Sequence, residues 1–273
     1  MEIRTRTRVQ RPALVLAFLV GCGSTAPRVA EGPAASPSPV TVLAYEDVAF
    51  TALNPARGDA SPMAGTIWGD RNGTAPTAFL FHPVDGFSSP PHIHNVSYRA
   101  IVIRGLVHNA HPDAEEQWMP AGSFWTQPQG AVHITAARGE DILALVEIDE
   151  GPYLVRPVDQ AYETGERAVN VDADAIPWTV RERTQLRFAE LWGEPFSDAP
   201  GGMLVEVPSG LEASSTSTSP LRAVLVAGTI DHLGTMLVAG SSLFAEAAPI
   251  SVACTSDVAC VLYLRSRGAL SID

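Results

Sequence analysis

The stretch GFSSPPHIHNVSYRAIVIRG (residues 86–105) decides the fold together with GSFWTQPQGAVH (residues 122–133). Alternate residues of a β-strand point to the same face, so His92 and His94 share one side of a sheet. Pro128 and Gly130 suit a turn that brings a second strand beside the first, with His133 on it. The two stretches therefore predict three imidazoles that converge from adjacent strands.

Three neutral imidazoles in this arrangement form a facial metal site, in which positions remain open for water or substrate. The site carries no ligand charge, so the metal keeps its full positive charge and should attract an anionic or chelating molecule. The alternative for His92 and His94 is a pair of surface histidines in a proline-rich loop, and for His133 alone an ordinary core histidine.

The spacing of the glycines, the proline and the three histidines resembles both halves of the cupin signature. Two positions depart from it, since Tyr98 stands where Glu is usual and Ala137 where Asn is usual. The wider pattern, from Asn54–Asp59 through Glu150–Val155, resembles a bacterial bicupin family of unassigned function. The resemblance implies an all-β protein of two tandem cupin barrels, that is, double-stranded β-helix jelly rolls.

A site of three histidines is similar to that of the three-histidine cupin dioxygenases, which bind Fe(II) and open chelating diketone, thiol or aromatic substrates. The resemblance implies one divalent transition metal, with Fe(II) favoured and Zn, Mn or Ni as alternatives. Tyr98 would then orient dioxygen or substrate through its hydroxyl, or would only fill the barrel as a core aromatic residue. A neutral phenol is a poor metal ligand unless the metal displaces its proton.

Three further polar residues are weaker candidates. Gln127 stands beside Pro128 and is placed to hydrogen-bond a ligand. His108 follows the first stretch, and we expect it at the surface or beside the site rather than on the metal. Glu147 lies in an apolar strand, where it would supply the missing carboxylate or orient a histidine, or would face outward.

The rest of the chain reads as short strands separated by Gly, Pro, Asn and Asp, which is typical of a sandwich or barrel. The predicted strands are Thr77–His82, Val96–Arg104, Ala131–Ala136, Ile142–Ile148, Gly202–Val207, Ala223–Val226 and Val261–Leu264.

An internal repeat predicts two domains, a metal-binding one at 41–165 and a degenerate one at 166–273. Trp68-Gly69-Asp70 returns as Trp192-Gly193-Glu194, and Ala121-Gly122-Ser123 returns as Ala239-Gly240-Ser241. In the second copy Thr216, Thr218 and Ser251 stand in place of the three histidines, so we expect no metal there. His232 is predicted to lie at the surface.

The N-terminus resembles a bacterial lipoprotein leader, residues 1–21, with Cys22 as the lipidated residue and 22–40 as a flexible tether. An ordinary signal peptide is the alternative. We therefore expect an exported protein, lipid-anchored at the periplasmic face of the cell envelope and touching the membrane only through that anchor. Export would permit a disulfide between Cys254 and Cys260, and two buried free thiols are equally compatible with the pattern.

A net charge of −12 repels phosphate backbones, which argues against nucleic acid as a partner and favours a small molecule. A homodimer is compatible with the sequence, which does not decide it. Three functions remain open: a metal-dependent oxidoreductase of the dioxygenase type, a non-catalytic metal or small-ligand binder of the envelope, and a lipoprotein whose site is structural. Fold alone does not choose among them.

Overall fold

The computed structural model describes residues 40–180 and 184–273. The predicted leader 1–21, Cys22 and the tether up to residue 39 lie outside the described residues. Almost all regular structure is antiparallel β-sheet, joined by a few turns of 3-10 helix, as the sequence predicts. Within the described ranges, no helix is long and apolar enough to cross a membrane.

We call residues 50–171 the first half. Its strands are β2 Phe50–Ala52, β3 Met63–Trp68, β4 Thr77–His82, β5 Ile93–His94, β6 Tyr98–Ala110, β7 Phe124–Gln127, β8 Ile134–Ile148, β9 Val155–Arg156 and β10 Val169–Val171. Short 3-10 segments lie at Tyr45–Asp47, just before β2, and at Pro55–Ala60 and Val158–Gln160.

We call residues 173–272 the second half. One strand from the start of the described chain also belongs to its sheet. A 3-10 segment at Ala173–Ala175 opens it. Its strands are β1 Val40–Leu43, β11 Thr179–Val180, β12 Arg187–Gly193, β13 Gly201–Val207, β14 Glu212–Ser217, β15 Leu221–Ala227, β16 Thr229–His232, β17 Thr235–Val238, β18 Ser242–Ala245, β19 Ile250–Cys254, β20 Cys260–Ser266 and β21 Leu270–Ile272.

Each half contributes a seven-stranded sheet, ordered β10-β7-β6-β8-β4-β3-β2 in the first and β1-β18-β15-β20-β13-β12-β11 in the second. A five-stranded sheet, β17-β16-β19-β14-β21, closes the second half, and the ribbon β5-β9 closes the first. The pairing does not follow the predicted division at 165/166. Residues 169–171 pair with β7 of the first half, and residues 40–43 pair with β18 of the second. The two-domain division stays a prediction.

One strand is longer than the sequence indicates. The stretches predicted as Ala131–Ala136 and Ile142–Ile148 belong to the single strand β8, which runs beside β6 over its whole length. The polar residues between them, Arg138 to Asp141, lie opposite an irregularity in β6 at Gly105. A β-bulge absorbs such residues without ending the strand.

The repeated tripeptides adopt the same local structure. Trp68 and Trp192 each follow a register shift near the end of a strand, β3 and β12. The next residues, Gly69 and Gly193, have φ of 73° and 65°, and a Cβ would lie within 2.1 Å of a neighbouring atom at either position. Glycine is needed at both corners because only it fits this conformation and this space.

A partly buried ion cluster joins the two halves. Glu147 accepts hydrogen bonds from Arg99 (3.0 Å) and from the hydroxyl of Tyr263 (3.1 Å), and its carboxylate lies 3.4 Å from Arg265. Asp149 accepts hydrogen bonds from the same two arginines. Arg99 and Glu147 belong to the first half, and Arg265 and Tyr263 to the second.

The second half also holds the two remaining cysteines. Cys254, at the end of β19, and Cys260, at the start of β20, form a disulfide with their Cα atoms 5.7 Å apart, and the two strands belong to different sheets. The bond links the two strands next to the turn that joins them.

Candidate metal centre

The backbone places the three histidines side by side. His92 and His133 face each other in an antiparallel bridge, in which each amide donates to the other's carbonyl at 3.0 Å. The carbonyl of His94 accepts a hydrogen bond from the amide of Gly130 at 2.8 Å, which fixes the turn after β7. These bonds bring residues about forty apart in sequence onto one inner face of the first half.

The side chains converge as the sequence predicts. One nitrogen of each ring lies within 4.8 Å of the others, and the Nε2 atoms of His92 and His94 are 3.2 Å apart. Relative exposures are 8% for His92, 2% for His94 and 1% for His133, so solvent scarcely reaches the cluster. Among the described residues, this is the one group of three or more His, Cys, Asp or Glu side chains close enough to hold a metal ion.

Hydrogen bonds to backbone carbonyls fix the outer nitrogen of each ring. Nδ1 of His92 lies 2.9 Å from the carbonyl of Pro90, Nδ1 of His94 lies 3.0 Å from that of Leu154, and Nδ1 of His133 lies 3.2 Å from that of Ala131. A carbonyl only accepts, so each Nδ1 carries the proton and each Nε2 presents a lone pair. The Nε2 of His133 is buried without a hydrogen-bond partner.

Burial keeps the three rings neutral. Desolvation is the largest cause of a lowered pKa at each, and it is reinforced at His94 by the neighbouring histidines. The pKa of His133 falls to about 3, through desolvation and then the charge of His92. Lone pairs that face one another repel unless a cation lies between them, and the Nε2 atom of His133 has no hydrogen-bond partner, so the donor set suits a metal ion.

A cavity of about 150 Å³ opens beside the triad, with His92 and His94 in its wall. Its other lining residues are mostly apolar or aromatic and include Arg57 but no Asp or Glu: Leu53, Asn54, Arg57, Pro62, Phe79, Phe81, Phe87, Ser89, Pro90, Tyr98, Trp125, Thr135, Val146, Tyr153 and Val155. An apolar pocket with a few convergent polar groups is the usual form of a small-molecule site.

The part of the chain that contains the histidine triad and the jelly-roll sheets matches one sequence family. The profile of the domain of unknown function DUF4437 matches residues 41–273. The chain belongs to the DUF4437 family. No curated protein matches this chain.

Solved structures show which fold this DUF4437 chain has. A proposed dioxygenase from Nostoc punctiforme PCC 73102 is 13% identical, with 85% of this chain and 84% of that one covered and a TM-score of 0.64. The formate complex of oxalate decarboxylase from Lactobacillus farciminis is 11% identical, with 85% and 87% covered and a TM-score of 0.56. Vicilin from hazelnut, Corylus avellana, is 11% identical, with 85% and 87% covered and a TM-score of 0.55. At these identities the likeness shows the cupin fold alone.

Tyr98 and Gln127 belong to one buried hydrogen-bond chain next to the triad. Tyr98 donates its hydroxyl proton to Oδ1 of Asn109 at 2.9 Å, and Asn109 donates to Gln127 at 2.9 Å. Gln127 in turn donates to the carbonyl of Ala131 at 3.1 Å, the same carbonyl that holds His133. Desolvation raises the pKa of Tyr98 to about 12, so its phenol stays neutral. Tyr98 lines the cavity, but its hydroxyl and the polar end of Gln127 are both bound by protein groups.

Tyr153 is the site residue that the sequence does not reveal. Its hydroxyl lies 3.0 Å from Nε2 of His94, and its ring stacks on that imidazole with centroids 4.3 Å apart. Burial raises its pKa well above the ordinary value, so the phenol donates to the bare nitrogen. Asn95 holds the loop in place by accepting from the amide of Leu154 and donating to the carbonyl of Pro152. Strands β5 and β9 pair nearby over only two residues, which is too short for the hydrophobic periodicity of the sequence to reveal.

The structure corrects the predicted placements of Glu147 and His232 and excludes the surface alternative for His108. Glu147 is neither a ligand nor outward-facing: it is 1% exposed and lies in the ion cluster between the halves, on the strand face opposite the cavity-lining Val146. His108 is not at the surface either, since it is 4% exposed, with Nδ1 3.0 Å from the carbonyl of Gln117. It is not part of the histidine group. His232, predicted at the surface, is 3% exposed.

Proposed function

We propose that this protein is a metal-dependent oxidoreductase of the dioxygenase type, acting on a small chelating or anionic substrate. His92, His94 and His133 hold one divalent transition metal, with Fe(II) favoured over Zn, Mn and Ni. The observation that carries the proposal is the convergence of three Nε2 atoms beside a mostly apolar cavity whose wall includes His92 and His94. Catalytic metal sites keep a position open for water or substrate, and small-molecule sites are mostly apolar cavities with a few polar groups.

When bound, an iron ion in such a site would supply the redox chemistry and an attachment point for a chelating substrate. The chain's own residues set the surroundings. The backbone carbonyls of Pro90, Leu154 and Ala131 keep each imidazole in the tautomer that offers Nε2. Phe79, Phe81 and Val146 exclude water from the cavity wall. The hydroxyl of Tyr98, held by its hydrogen bond to Asn109, would orient a molecule bound in the cavity that this residue lines.

A second candidate, a non-catalytic binder of metal or small ligands, is favoured by one observation. The hydroxyl of Tyr153 lies 3.0 Å from the Nε2 atom of His94 that a metal would use. If that hydroxyl stayed beside the metal, the protein would occupy one of the coordination positions that a substrate needs, as in structural metal sites.

Metal content decides first between these candidates. The protein is purified from its native compartment without added metal or chelator and measured by mass spectrometry, beside His92→Ala and His111→Ala. His111 is the matched control because its side chain is 57% exposed and outside the triad. We expect close to one metal per chain in the wild type and in His111→Ala, and a loss in His92→Ala. A wild type without metal, or an unchanged content in His92→Ala, would refute the assignment.

Oxygen consumption then separates enzyme from binder. The metal-loaded protein is screened against diketones, thiols and catechols in an oxygen electrode. Iron at close to one per chain with substrate-dependent uptake supports the oxidoreductase. Zinc or manganese without uptake supports the binder and contradicts the oxidoreductase.

We also propose that the protein is exported and held at the periplasmic face by a lipid on Cys22. The support is the leader-like pattern of residues 1–21 followed by a Pro- and Ser-rich tether. Labelled palmitate should enter the wild-type chain in membranes and not Cys22→Ser. Labelling that survives the substitution would contradict the anchor.

A further inference from the structure

Arg57 is the one charged residue in the cavity lining. It is half-buried, and among the described residues no carboxylate lies within ion-pair distance of it. Its guanidinium lies 5.7 Å from the centre of the Phe87 ring, which is also in the lining.

The segment that carries Arg57 is held in place by several hydrogen bonds. The side chain of Asn54 accepts from the amide of Ala56 at 3.2 Å, and the hydroxyl of Ser61 accepts from the amide of Asn54 at 2.9 Å. Gly58 follows with φ 55° and ψ −135°, a conformation that belongs to glycine and turns the chain directly after Arg57. The arginine is therefore positioned by its backbone rather than carried on a free loop.

The remaining wall sets the size and polarity of an occupant. Phe79, Phe81, Phe87 and Val146 line it, and Phe81 and Phe87 contact edge to face with centroids 5.9 Å apart. A cavity of about 150 Å³ with apolar walls accommodates a molecule of benzene size. A guanidinium without a carboxylate partner at such a cavity matches a ligand carboxylate, which it binds through two parallel hydrogen bonds.

We propose that the cavity takes a small carboxylic acid whose apolar body is about the size of a benzene ring, with Arg57 holding the carboxylate. This inference rests on the proposed function, since the same cavity contains His92 and His94. The apolar body lies against the phenylalanine side chains. The chain is acidic overall, at −12, so the positive charge at this cavity is a local feature that selects anions.

Calorimetric titration tests the proposal with benzoate, its uncharged analogue benzamide, and acetate, which lacks the ring. Each probe is titrated into the metal-free and the metal-loaded protein. We expect benzoate to bind about tenfold or more tightly than benzamide and than acetate. Equal affinity for benzoate and benzamide would overturn the role of charge, and equal affinity for benzoate and acetate would overturn the role of the apolar wall.

Two substitutions locate the charge. Arg57→Gln should weaken benzoate binding about tenfold or more and leave benzamide binding unchanged, and Arg57→Lys should give an intermediate loss. Arg138→Gln is the matched control, because Arg138 also stacks on an aromatic ring, that of Trp118, but lies outside the cavity. Benzoate affinity that is the same in Arg57→Gln as in the wild type would overturn the proposal, provided thermal unfolding shows both to be folded.

Titration of the metal-free protein distinguishes a failure of this inference from a failure of the proposed function on which it rests. If the protein binds no metal but still binds benzoate through Arg57, the carboxylate site stands and the metal-dependent function fails. If metal binds and benzoate binds only to the metal-loaded form, insensitive to Arg57→Gln, the function stands and the carboxylate site fails.

Discussion

The interiors of the two halves differ more than their sheets do. Each contains a buried histidine with the same local arrangement: Nδ1 of His133 lies beside the carbonyl of Ala131 and Nδ1 of His232 beside that of Ser251, and both Nε2 atoms are buried without a partner. His133 has two further imidazoles within 4.8 Å, whereas among the described residues His232 belongs to no such group. One unpaired nitrogen is a local imperfection of packing, and three that converge form a site.

The packing around these histidines differs in the same way. The second half is filled by aliphatic side chains such as Val205, Leu225 and Leu262, each at most 3% exposed. The first half leaves a cavity of about 150 Å³ between aromatic rings. Thr216 and Thr218, which the repeat aligns with His92 and His94, are exposed. The inward-facing residues of a barrel of this fold therefore decide whether its interior is filled by side chains or leaves a cavity for a ligand.

The largest expected effect is on metal binding and distinguishes the triad of the first half from His232 of the second. His94→Ala should reduce metal content from close to one per chain to almost none. Loss of a direct ligand should exceed the ~10–100-fold cost of losing a residue that only orients one. His232→Ala should leave the metal content unchanged and lower only the thermal stability. Mass spectrometry of both variants after gel filtration measures this, and loss of metal in His232→Ala would break the comparison.

The second prediction compares the two cores with one matched substitution. Val205→Ala lies in the filled core and should lower the free energy of unfolding by about 2 kcal/mol, because lost burial adds to a new void. Val146→Ala lies in the cavity wall and should cost roughly half as much, since its methyl groups already border open space. Urea denaturation of both variants measures the difference. Equal losses would mean that the first half is packed as closely as the second.

The sequence predicts the fold and the triad because both depend on local rules. Strand alternation and the Pro128–Gly130 turn place His92, His94 and His133 on one face, and the structure brings those three together. Strand β4 was predicted with its observed bounds, Thr77–His82. Hydrophobic alternation and turn residues carry enough information for these features.

Other features depend on contacts that no local pattern encodes. The alternation of side chains along a strand correctly places Glu147 and Val146 on opposite faces of β8. It does not show that a second sheet covers the face on which Glu147 lies. Burial there raises the pKa of Glu147, against the opposing charges of Arg265 and Arg99. Tyr153 reaches His94 through a loop held by Asn95 and a strand of two residues. Such placements follow from tertiary packing and become visible only in the structure.

The smallest expected effect concerns the ion cluster that joins the halves. Burial by itself would raise the pKa of Asp149, but the hydrogen bond and charge of Arg99, with the charge of Arg265, hold it below its ordinary value. A carboxyl group with a lowered pKa in the folded state stabilises that state above its unfolded pKa of about 3.9, and the contribution disappears as the pH falls through the folded value. The side chain is 43% exposed, so solvent screening limits this contribution to less than about 1 kcal/mol.

Asp149→Asn should therefore be slightly less stable than the wild type at neutral pH, and the gap should close below about pH 4. Urea denaturation at neutral and acidic pH measures it, with Asp257→Asn as the control. Asp257 is exposed and has no ion pair among the described residues, so that change should leave stability unaltered at either pH. A gap that persists in acid would show that Asp149 joins the two halves through packing rather than through its charge.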